Sequence, residues 1–343
     1  MAIDLSPDQP AAPAATGDPS ICFVACVESG LLESQTVRFA ESLRRFGGRL
    51  AGSEILAVTP RYGPPLSATT RRRFRELGVR HVRLRSHPRY AWYHYLNTPI
   101  ALAAAEELTD ASIICWADSD LLIMDEPGQL LLGEDLDFVA GTIDSGVVGS
   151  TGPGAEHEDA WLRLLELLDI DPDTLPYVES QMDHLRLRLY FQAGIFAYRN
   201  GIGFSQYYLD MCTSVLDRHF GFSHRAENYL DQVCLGLAAH KAGLRWRQLD
   251  LTHNFPMASF LPQFESPERL AEAKVLHYHD AMEPHFWDTC VERVAAGHPE
   301  VAAWLRERPP LTDPAPAPWR LVRQALRIAR AVPRKRYRAR VSA

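Results

Sequence analysis

The sequence predicts an α/β fold in which a mostly parallel central sheet is flanked by helices. Two observations carry this prediction. Short apolar runs alternate with segments of helical spacing over the first 116 residues, and such alternation favours right-handed crossovers between parallel strands. The chain has 343 residues, of which 46% are hydrophobic and 23% charged, so it is long and apolar enough to bury a sizeable core.

The elements of the first half follow from local signals. Residues 20–27 form an apolar run rich in β-formers, which predicts a buried strand. Residues 33–46 have helical spacing and stop at Gly47 and Gly48, a signal for the end of a helix. By the same arguments we expect strands over 55–59, 79–84 and 112–116, and helices over 67–77 and 99–108.

The second half is less regular. We expect helices over 159–168, 203–220 and 228–242, and strands over 187–198 and 274–279. The sequence contains no internal repeat.

Composition divides the chain into four parts. Residues 1–19 are rich in Ala, Pro and Asp and predict a disordered leader. A globular body over 20–308 follows. Five prolines within 309–318 predict a linker, and residues 319–343, with nine bases and no acid, predict a basic amphipathic tail. In that tail Trp319, Val322, Leu326 and Ala329 would form one helical face, while a row of arginines lines another.

The charge balance excludes some classes of function. The net charge of the chain is −7, which argues against a dedicated nucleic-acid binder, so we expect no nucleic-acid partner. The tail carries +9 and the remainder −16. No basic, apolar leader and no run of about 18 apolar residues occurs, so we predict a cytoplasmic protein. The six cysteines show no CxxC pair or zinc spacing, which is typical of reduced, buried thiols.

A pair of carboxylates is the sharpest candidate site. Asp118 and Asp120 follow a predicted buried strand, and at strand spacing their side chains point the same way. Ligands of open α/β sheets bind beyond the carboxyl ends of strands. Two like charges aimed at one cleft favour a divalent cation between them, coordinated by oxygen. The alternative is a turn with solvated acids.

Two histidines end the late strand predicted over 274–279. His277 and His279 lie at i and i+2, and imidazole beside two carboxylates favours Mn²⁺ over Mg²⁺. The alternative is a pair of histidines with purely structural partners.

Two further motifs are weaker. Gln192-Ala193-Gly194 combines an amide with a glycine that permits close approach of a ligand, although a strand bend explains it equally well. Asp231 and Gln232 open an apolar helix, where the helix dipole alone also favours an acid.

In this order, the four motifs resemble a retaining glycosyltransferase of the GT-A fold, and above all family 8, which includes glycogenin and bacterial lipooligosaccharide galactosyltransferases. The resemblance covers roughly residues 20–290 and implies a sugar-nucleotide donor. Asp118 and Asp120 match the DxD motif, and His277 matches the first histidine of the HxxGxxKPW motif, so these three residues would bind Mn²⁺ (or Mg²⁺).

The resemblance also implies roles for the remaining motifs. Gln192-Ala193-Gly194 is similar to the family's Asn-Ala-Gly, which contacts the donor sugar. Asp231 and Gln232 are similar to its Asp-Gln pair, which lines the sugar pocket near the anomeric carbon, and they are the expected catalytic residues. Glu28 is a candidate for contacting the nucleoside, and Asn97 for the ribose or phosphate of the donor.

Two residues depart from the family pattern. Asp280 replaces a glycine, and Glu283 replaces the lysine that contacts the diphosphate. An acid cannot take that role, so His285 or His279 would have to serve instead.

Several alternatives stay open on these residues. A haloacid-dehalogenase-like phosphatase also has a DxD after a strand, but it has Thr or Val where this chain has Leu122. A non-catalytic module that binds a sugar nucleotide or glycan is suggested by Glu283. The expected acceptor is a glycan, a lipid-linked sugar or a small molecule. The tail is either a solvated basic helix or a segment that lies on an anionic membrane surface, which would make the protein peripheral to the membrane.

Overall fold

The computed structural model describes residues 3–5, 20–220, 229–259 and 267–341. The predicted α/β class is confirmed: a central sheet is covered by helices on both faces. The strands are β1 (Ile3–Leu5), β2 (Ile21–Cys26), β3 (Glu54–Thr59), β4 (Val79–Leu84), β5 (Ile113–Ala117), β6 (Leu121–Ile123), β7 (Phe138–Thr142), β8 (Tyr177–Glu179), β9 (Arg186–Arg188), β10 (Phe191–Arg199), β11 (Trp246–Gln248), β12 (Phe255–Pro256) and β13 (Val275–His277). The helices are α1 (Leu31–Phe46), α2 (Ala68–Glu76), α3 (Asn97–Leu108), α4 (Glu158–Leu167), α5 (Phe204–Asp217), α6 (Leu230–Lys241), α7 (Pro267–Ala271), α8 (Trp287–Gly297), α9 (Pro299–Arg306) and α10 (Ala317–Val341).

The main sheet has eight strands in the order β1-β4-β3-β2-β5-β10-β7-β11. Six of them run in the same direction, and β1 and β10 run against their neighbours. The sheet is therefore mostly parallel, as predicted. Its central strands are apolar throughout because both of their faces are covered.

Alternate residues of β2 enter two different cores. Cys22 and Val24 pack with α3, α5 and α6 on one face, whereas Ile21 and Phe23 pack with α1 and α2 on the other. This alternation follows from the two-residue period of a strand. All six cysteines are free thiols, and all but the partly buried Cys26 are buried.

A second, three-stranded sheet in the order β12-β13-β6 positions the candidate site. The chain leaves the main sheet at the end of β5, turns through Asp118-Ser119-Asp120 and enters β6. β6 pairs antiparallel with β13, and Leu121 lies opposite His277 in that register. This register places His277 next to Asp120.

The departures from the predicted elements lie mainly in the second half. The single strand expected over 187–198 is two strands, because Leu187 pairs with Val178 in a separate hairpin before β10 begins. The strands β7, β8, β11 and β12, and the helices α7, α8 and α9, were not predicted. In the first half, Ile3–Leu5 of the predicted leader pair antiparallel with β4; the rest of that leader lies outside the described residues.

The proline-rich segment 309–318, which the sequence predicts as a linker, is packed against the body. The Ser34 hydroxyl donates to the Thr312 carbonyl at 2.7 Å, and Arg38 donates to the Pro309 carbonyl at 3.0 Å. Leu311 is buried in the core formed with α8 and α9.

The basic tail forms α10, which lies back on the body. Of the predicted apolar face, Trp319, Val322 and Leu326 are half-buried, whereas Ala329 is exposed. Leu326 and Tyr337 face the protein, and Tyr337 packs on Trp92. Leu321, Ile328 and Val332 are instead 74%, 60% and 51% exposed. Among the described helices, none combines the length and apolarity needed to cross a bilayer.

Candidate functional site

Asp118 and Asp120 lie in the tight turn between β5 and β6, at the carboxyl edge of the main sheet. The Asp118 amide donates to the Gly194 carbonyl of β10 at 2.8 Å, and the Asp120 carbonyl accepts from the Tyr278 amide at 3.1 Å. The turn is thus tied to β10 on one side and to the segment after β13 on the other.

The side chains of Asp120, His277 and His279 meet at this turn. The Nε2 atom of His277 lies 3.3 Å from Oδ1 of Asp120, and the Nδ1 atom of His279 lies 3.9 Å from Oδ2. One ligand atom from each of the three residues lies within 4.8 Å of the others, so the cluster could hold a metal ion. The Asp118 carboxylate is not a member of this cluster, although the sequence predicts it as a ligand. His279, predicted to contact the donor, is a member.

Two buried amides orient the His277 ring. Its Nδ1 atom lies 3.2 Å from Oδ1 of Asn254 and 3.4 Å from Nε2 of Gln192. With an N–H at Nδ1 donating to Asn254, Nε2 is the atom that faces Asp120, and once deprotonated it would offer its lone pair to a metal. Metal-binding histidines are typically held by such a second hydrogen bond. The sequence analysis did not identify Asn254.

The pKa values of the carboxylates and histidines at this turn are shifted because these groups are buried close to one another. Burial, and then the charge of Asp120, raise the pKa of Asp118 to about 7. Burial also works to raise the pKa of Asp120, but the charge and hydrogen bond of His277 outweigh it and hold that pKa below its ordinary value. For His277, burial is outweighed by the Asp120 carboxylate, which raises its pKa to about 9. Burial and the neighbouring His277 lower the pKa of His279 to about 4.

A second group of polar side chains lies buried near Asp118. Burial raises the pKa of Asp231, in the first turn of α6, to about 8, and Asp118 adds to this rise. Burial raises the pKa of Asp144, which follows β7, to about 6, against the opposing charge of His277. One side-chain oxygen of each of Asp144, Asp231 and Gln232 is buried without a hydrogen-bond partner among the described residues. Buried oxygens of this kind can accept a hydrogen bond from a ligand or from an ordered water.

Gln192, Ala193 and Gly194 lie at an irregularity of β10, where its register with β7 shifts between Phe191 and Phe196. The Gln192 Oε1 atom accepts from the Gly194 amide at 2.7 Å, so the side chain folds back along its own strand. A Cβ atom on Gly194 would lie 2.9 Å from the Gln192 amide and from Cε1 of His277. Glycine is therefore required here by the close approach of His277.

Glu28 and Asn97 lie together beyond the end of β2. Arg61 donates two hydrogen bonds to the Glu28 carboxylate, at 2.7 and 2.8 Å, and Asn97 Nδ2 donates a third at 3.2 Å. Arg61 was not among the predicted site residues, although it follows a predicted strand as Glu28 does. His285 lies exposed on the turn before α8 and makes no polar contact in the part of the chain that the structure describes.

A family model described as the Rhodobacterales glycosyltransferase domain matches residues 23–243. The chain belongs to this family. The match spans β2 to α6 and includes Asp118, Asp120 and Asp231 of this glycosyltransferase domain. His277 and His279 lie beyond its end.

Solved structures of other glycosyltransferases are similar to the chain at low sequence identity. The bifunctional glycosyltransferase WbbM is 13% identical with a TM-score of 0.44, over 87% of this chain and 53% of that one. The galactosyltransferase LgtC, solved with donor and acceptor sugar analogs, is 14% identical with a TM-score of 0.44, over 87% and 99%. Mouse xyloside xylosyltransferase 1 is 12% identical with a TM-score of 0.42, over 76% and 98%. The chain thus spans about half of the WbbM chain. No curated protein is significantly similar to it.

Proposed function

We propose that this glycosyltransferase domain is a metal-dependent enzyme of the GT-A type that resembles family 8. It moves a sugar from a nucleotide-diphosphate donor, most simply a UDP-sugar, to a glycan, lipid-linked or small-molecule acceptor, with retention. The observation that carries the proposal is the Asp120, His277 and His279 cluster at the carboxyl edge of a mostly parallel sheet. Open α/β sheets bind their ligands at that edge.

The residues around the cluster fit a divalent metal. Asp120 and His277 offer one carboxylate and one imidazole lone pair, a mixed donor set that favours Mn²⁺ over Mg²⁺. Either His279 or Asp118 would complete the protein ligands. Burial beside another carboxylate raises the pKa of Asp118, so this residue is protonated below pH about 7. A nearby cation would stabilise the ionised carboxylate and lower that pKa. A metal bound here would supply positive charge for the departing diphosphate.

Asp231, Gln232 and Gln192 are the proposed sugar-side residues. The unpartnered oxygens of Asp231 and Gln232 are free to accept hydrogen bonds from sugar hydroxyls. Asp231 would carry its negative charge near the anomeric carbon once positive charge develops there, because an adjacent cation lowers the pKa of a carboxyl group.

The segment after β13 does not offer a base for the diphosphate. The Asp280 carboxylate accepts from the Ser259 amide at 3.0 Å and from its hydroxyl, and Glu283 carries a further negative charge. The exposed His285 has no described contact with the cluster. The positive groups that meet the diphosphate must therefore come from the metal and from another part of the chain.

The outward face of α10 supports the proposal that the enzyme lies on an anionic membrane surface. Leu321, Ile328 and Val332 form an exposed apolar stripe on this helix, beside exposed Lys335. Burial of this apolar stripe in the lipid and attraction of the basic side chains to anionic headgroups would both strengthen membrane binding. We expect the wild type to co-sediment with phosphatidylserine-containing vesicles. Ile328→Ser should reduce this binding, whereas the Leu185→Ser control should retain it. Equal binding by both variants and the wild type would place the contact elsewhere.

The decisive experiment on activity is the release of nucleoside diphosphate from a panel of UDP-, GDP- and dTDP-sugars. We expect slow release from one donor in the presence of Mn²⁺ and none after chelation. Asp120→Asn should abolish it, whereas Asp159→Asn, which changes an exposed carboxylate on α4, should not. Tight binding of a nucleotide sugar without any turnover would instead support a non-catalytic binding module and contradict the proposed enzyme.

A further inference from the structure

A cavity of about 390 Å³ lies between the carboxyl ends of β2 and β3 and the inner face of α10. Its floor includes Glu28, Thr59 and Arg61, and Tyr62 and Trp92 add aromatic side chains. The five arginines that line it are Arg61, Arg323, Arg327, Arg330 and Arg334. Glu28 is the one acid among the lining residues. A strongly positive cavity in a body that is otherwise acidic favours an anionic ligand.

Two of these arginines are already paired with carboxylates. Arg61 is held by the bidentate contact with Glu28. Arg323 is paired with Asp313 and lies directly against Gly30, where a Cβ atom would come within 2.6 Å of its Nη1. Gly30 has a φ of +130°, which only glycine adopts easily, so this end of α10 is closely fitted to the start of α1.

Arg330 is in a different situation. It donates to the Tyr62 carbonyl at 2.5 Å, and no carboxylate of the described chain lies within ion-pair distance of it. Burial and then the charge of Arg61 lower its pKa, against the attraction of Glu28. The guanidinium groups of Arg61 and Arg330 therefore repel each other across the cavity. An anion bound between them would remove this repulsion.

The cavity opens on the same edge of the sheet as the metal cluster. β2 and β5 are hydrogen-bonded neighbours, with Glu28 shortly after the first and Asp118 directly after the second. Both charges reach Cys26, the last residue of β2: burial raises the pKa of its thiol, and the charges of Glu28 and Asp118 add to the rise. Adjacent strands are about 4.8 Å apart, so one elongated anion can reach both places.

We propose that α10 is the roof of the donor pocket and that Arg330, with Arg327 and Arg334, binds a phosphate of the nucleoside diphosphate while Tyr62 and Trp92 offer aromatic contacts for the base. The tail would then take part in substrate binding as well as in any contact with a membrane. This inference rests on the proposed function, because it takes the donor to be a nucleotide. Arginine suits this role through its planar, bidentate hydrogen bonding to phosphate.

The test is calorimetric titration of the full-length protein with UDP, GDP and dTDP and with the corresponding nucleosides, without and with Mn²⁺. Arg330→Gln should weaken binding of the preferred diphosphate roughly ten-fold or more, the usual effect of losing a charge-assisted hydrogen bond. Its affinity for the nucleoside alone and for Mn²⁺ should be unchanged, and Arg330→Lys should recover part of the loss. Arg336→Gln, an exposed arginine on the same helix, is the matched control.

The outcomes separate the two proposals. Equal affinity of Arg330→Gln and Arg336→Gln for the diphosphate overturns the role of α10 and leaves the proposed function intact. An equal loss of nucleoside and diphosphate binding in Arg330→Gln also overturns it, because the effect would then be structural. Arg330-dependent diphosphate binding without turnover of any donor supports the roof but contradicts the enzyme. Failure of the wild type to bind any of the three diphosphates overturns both.

Discussion

The Nε2 atom of His277 lies 3.3 Å from the Oδ1 atom of Asp120, although the two residues are separated by 157 positions in the chain. The antiparallel register of β6 and β13 brings them together. His277 is buried and Asp120 is partly buried, and each favours the charged form of the other. A divalent metal would replace the proton that they share.

The first prediction concerns the pH dependence of metal binding. Because the Asp120 carboxylate raises the pKa of His277 to about 9, the imidazole is protonated at pH 7 and must lose its proton to bind a metal. Affinity for Mn²⁺ should therefore rise by roughly ten-fold per pH unit between pH 7 and 9, and level off above that. Titration calorimetry in buffers of different ionisation enthalpy measures the proton release. An affinity that is constant over this range would show that His277 is not a ligand.

The second prediction concerns Asn254, which holds the Nδ1 side of the His277 ring. Asn254→Ala should lower the affinity for Mn²⁺ about 10–100-fold, the usual cost of removing an outer-shell partner. Asn254→Asp keeps the accepting oxygen and should recover most of the affinity. Because Asn254 is only 2% exposed, thermal unfolding serves as the control for folding. Wild-type affinity in the folded alanine variant would contradict the orienting role.

The third prediction concerns the close approach at Gly194. In Gly194→Ala the new Cβ would lie 2.9 Å from both the Gln192 amide and Cε1 of His277, so the imidazole must move. We expect a marked loss of Mn²⁺ affinity. Gly52→Ala is the matched control, since a Cβ there meets no atom within 4 Å. The two variants should differ in metal binding; identical affinities would mean that the site tolerates the displacement.

The fourth prediction concerns Asp231, whose pKa burial raises to about 8. In the unfolded chain this carboxyl ionises near pH 4, so the folded state holds one more proton between pH about 4 and 8. The free energy of unfolding therefore falls across this window as the pH rises. Asp231→Asn removes the titration, and its stability relative to the wild type should grow from pH 5 to pH 8 in urea denaturation. Parallel stability curves for the two proteins would contradict the raised pKa.

The first half of the fold could be predicted from the sequence because each element there carries its own signal. The strand over 79–84 and the helices that end at Phe46 and Leu108 agree with the prediction to within two residues at each end. The second half could not, because it depends on long-range pairing. The apolar run over 187–198 gives no local sign that Leu187 pairs in a hairpin while Phe191 enters the main sheet.

The candidate site shows the same division. Asp118, Asp120, His277 and Asp231 were identified because carboxylates and imidazoles at the ends of apolar runs are chemically conspicuous. Asn254 was not, since a single buried amide in an irregular segment has no pattern. The predicted apolar face of α10 includes Trp319, Val322 and Leu326, which are half-buried, but only the packing shows that Arg323 and Arg330 also face the protein.

The most direct test of the account is the position of Mn²⁺ in crystals grown with the preferred nucleoside diphosphate. Anomalous scattering at the manganese edge should give one strong peak within coordination distance of the Asp120 carboxylate and His277 Nε2, with diphosphate oxygens completing the shell. A peak bound by other residues, or a diphosphate bound at this edge of the sheet with no metal beside Asp120, would contradict it.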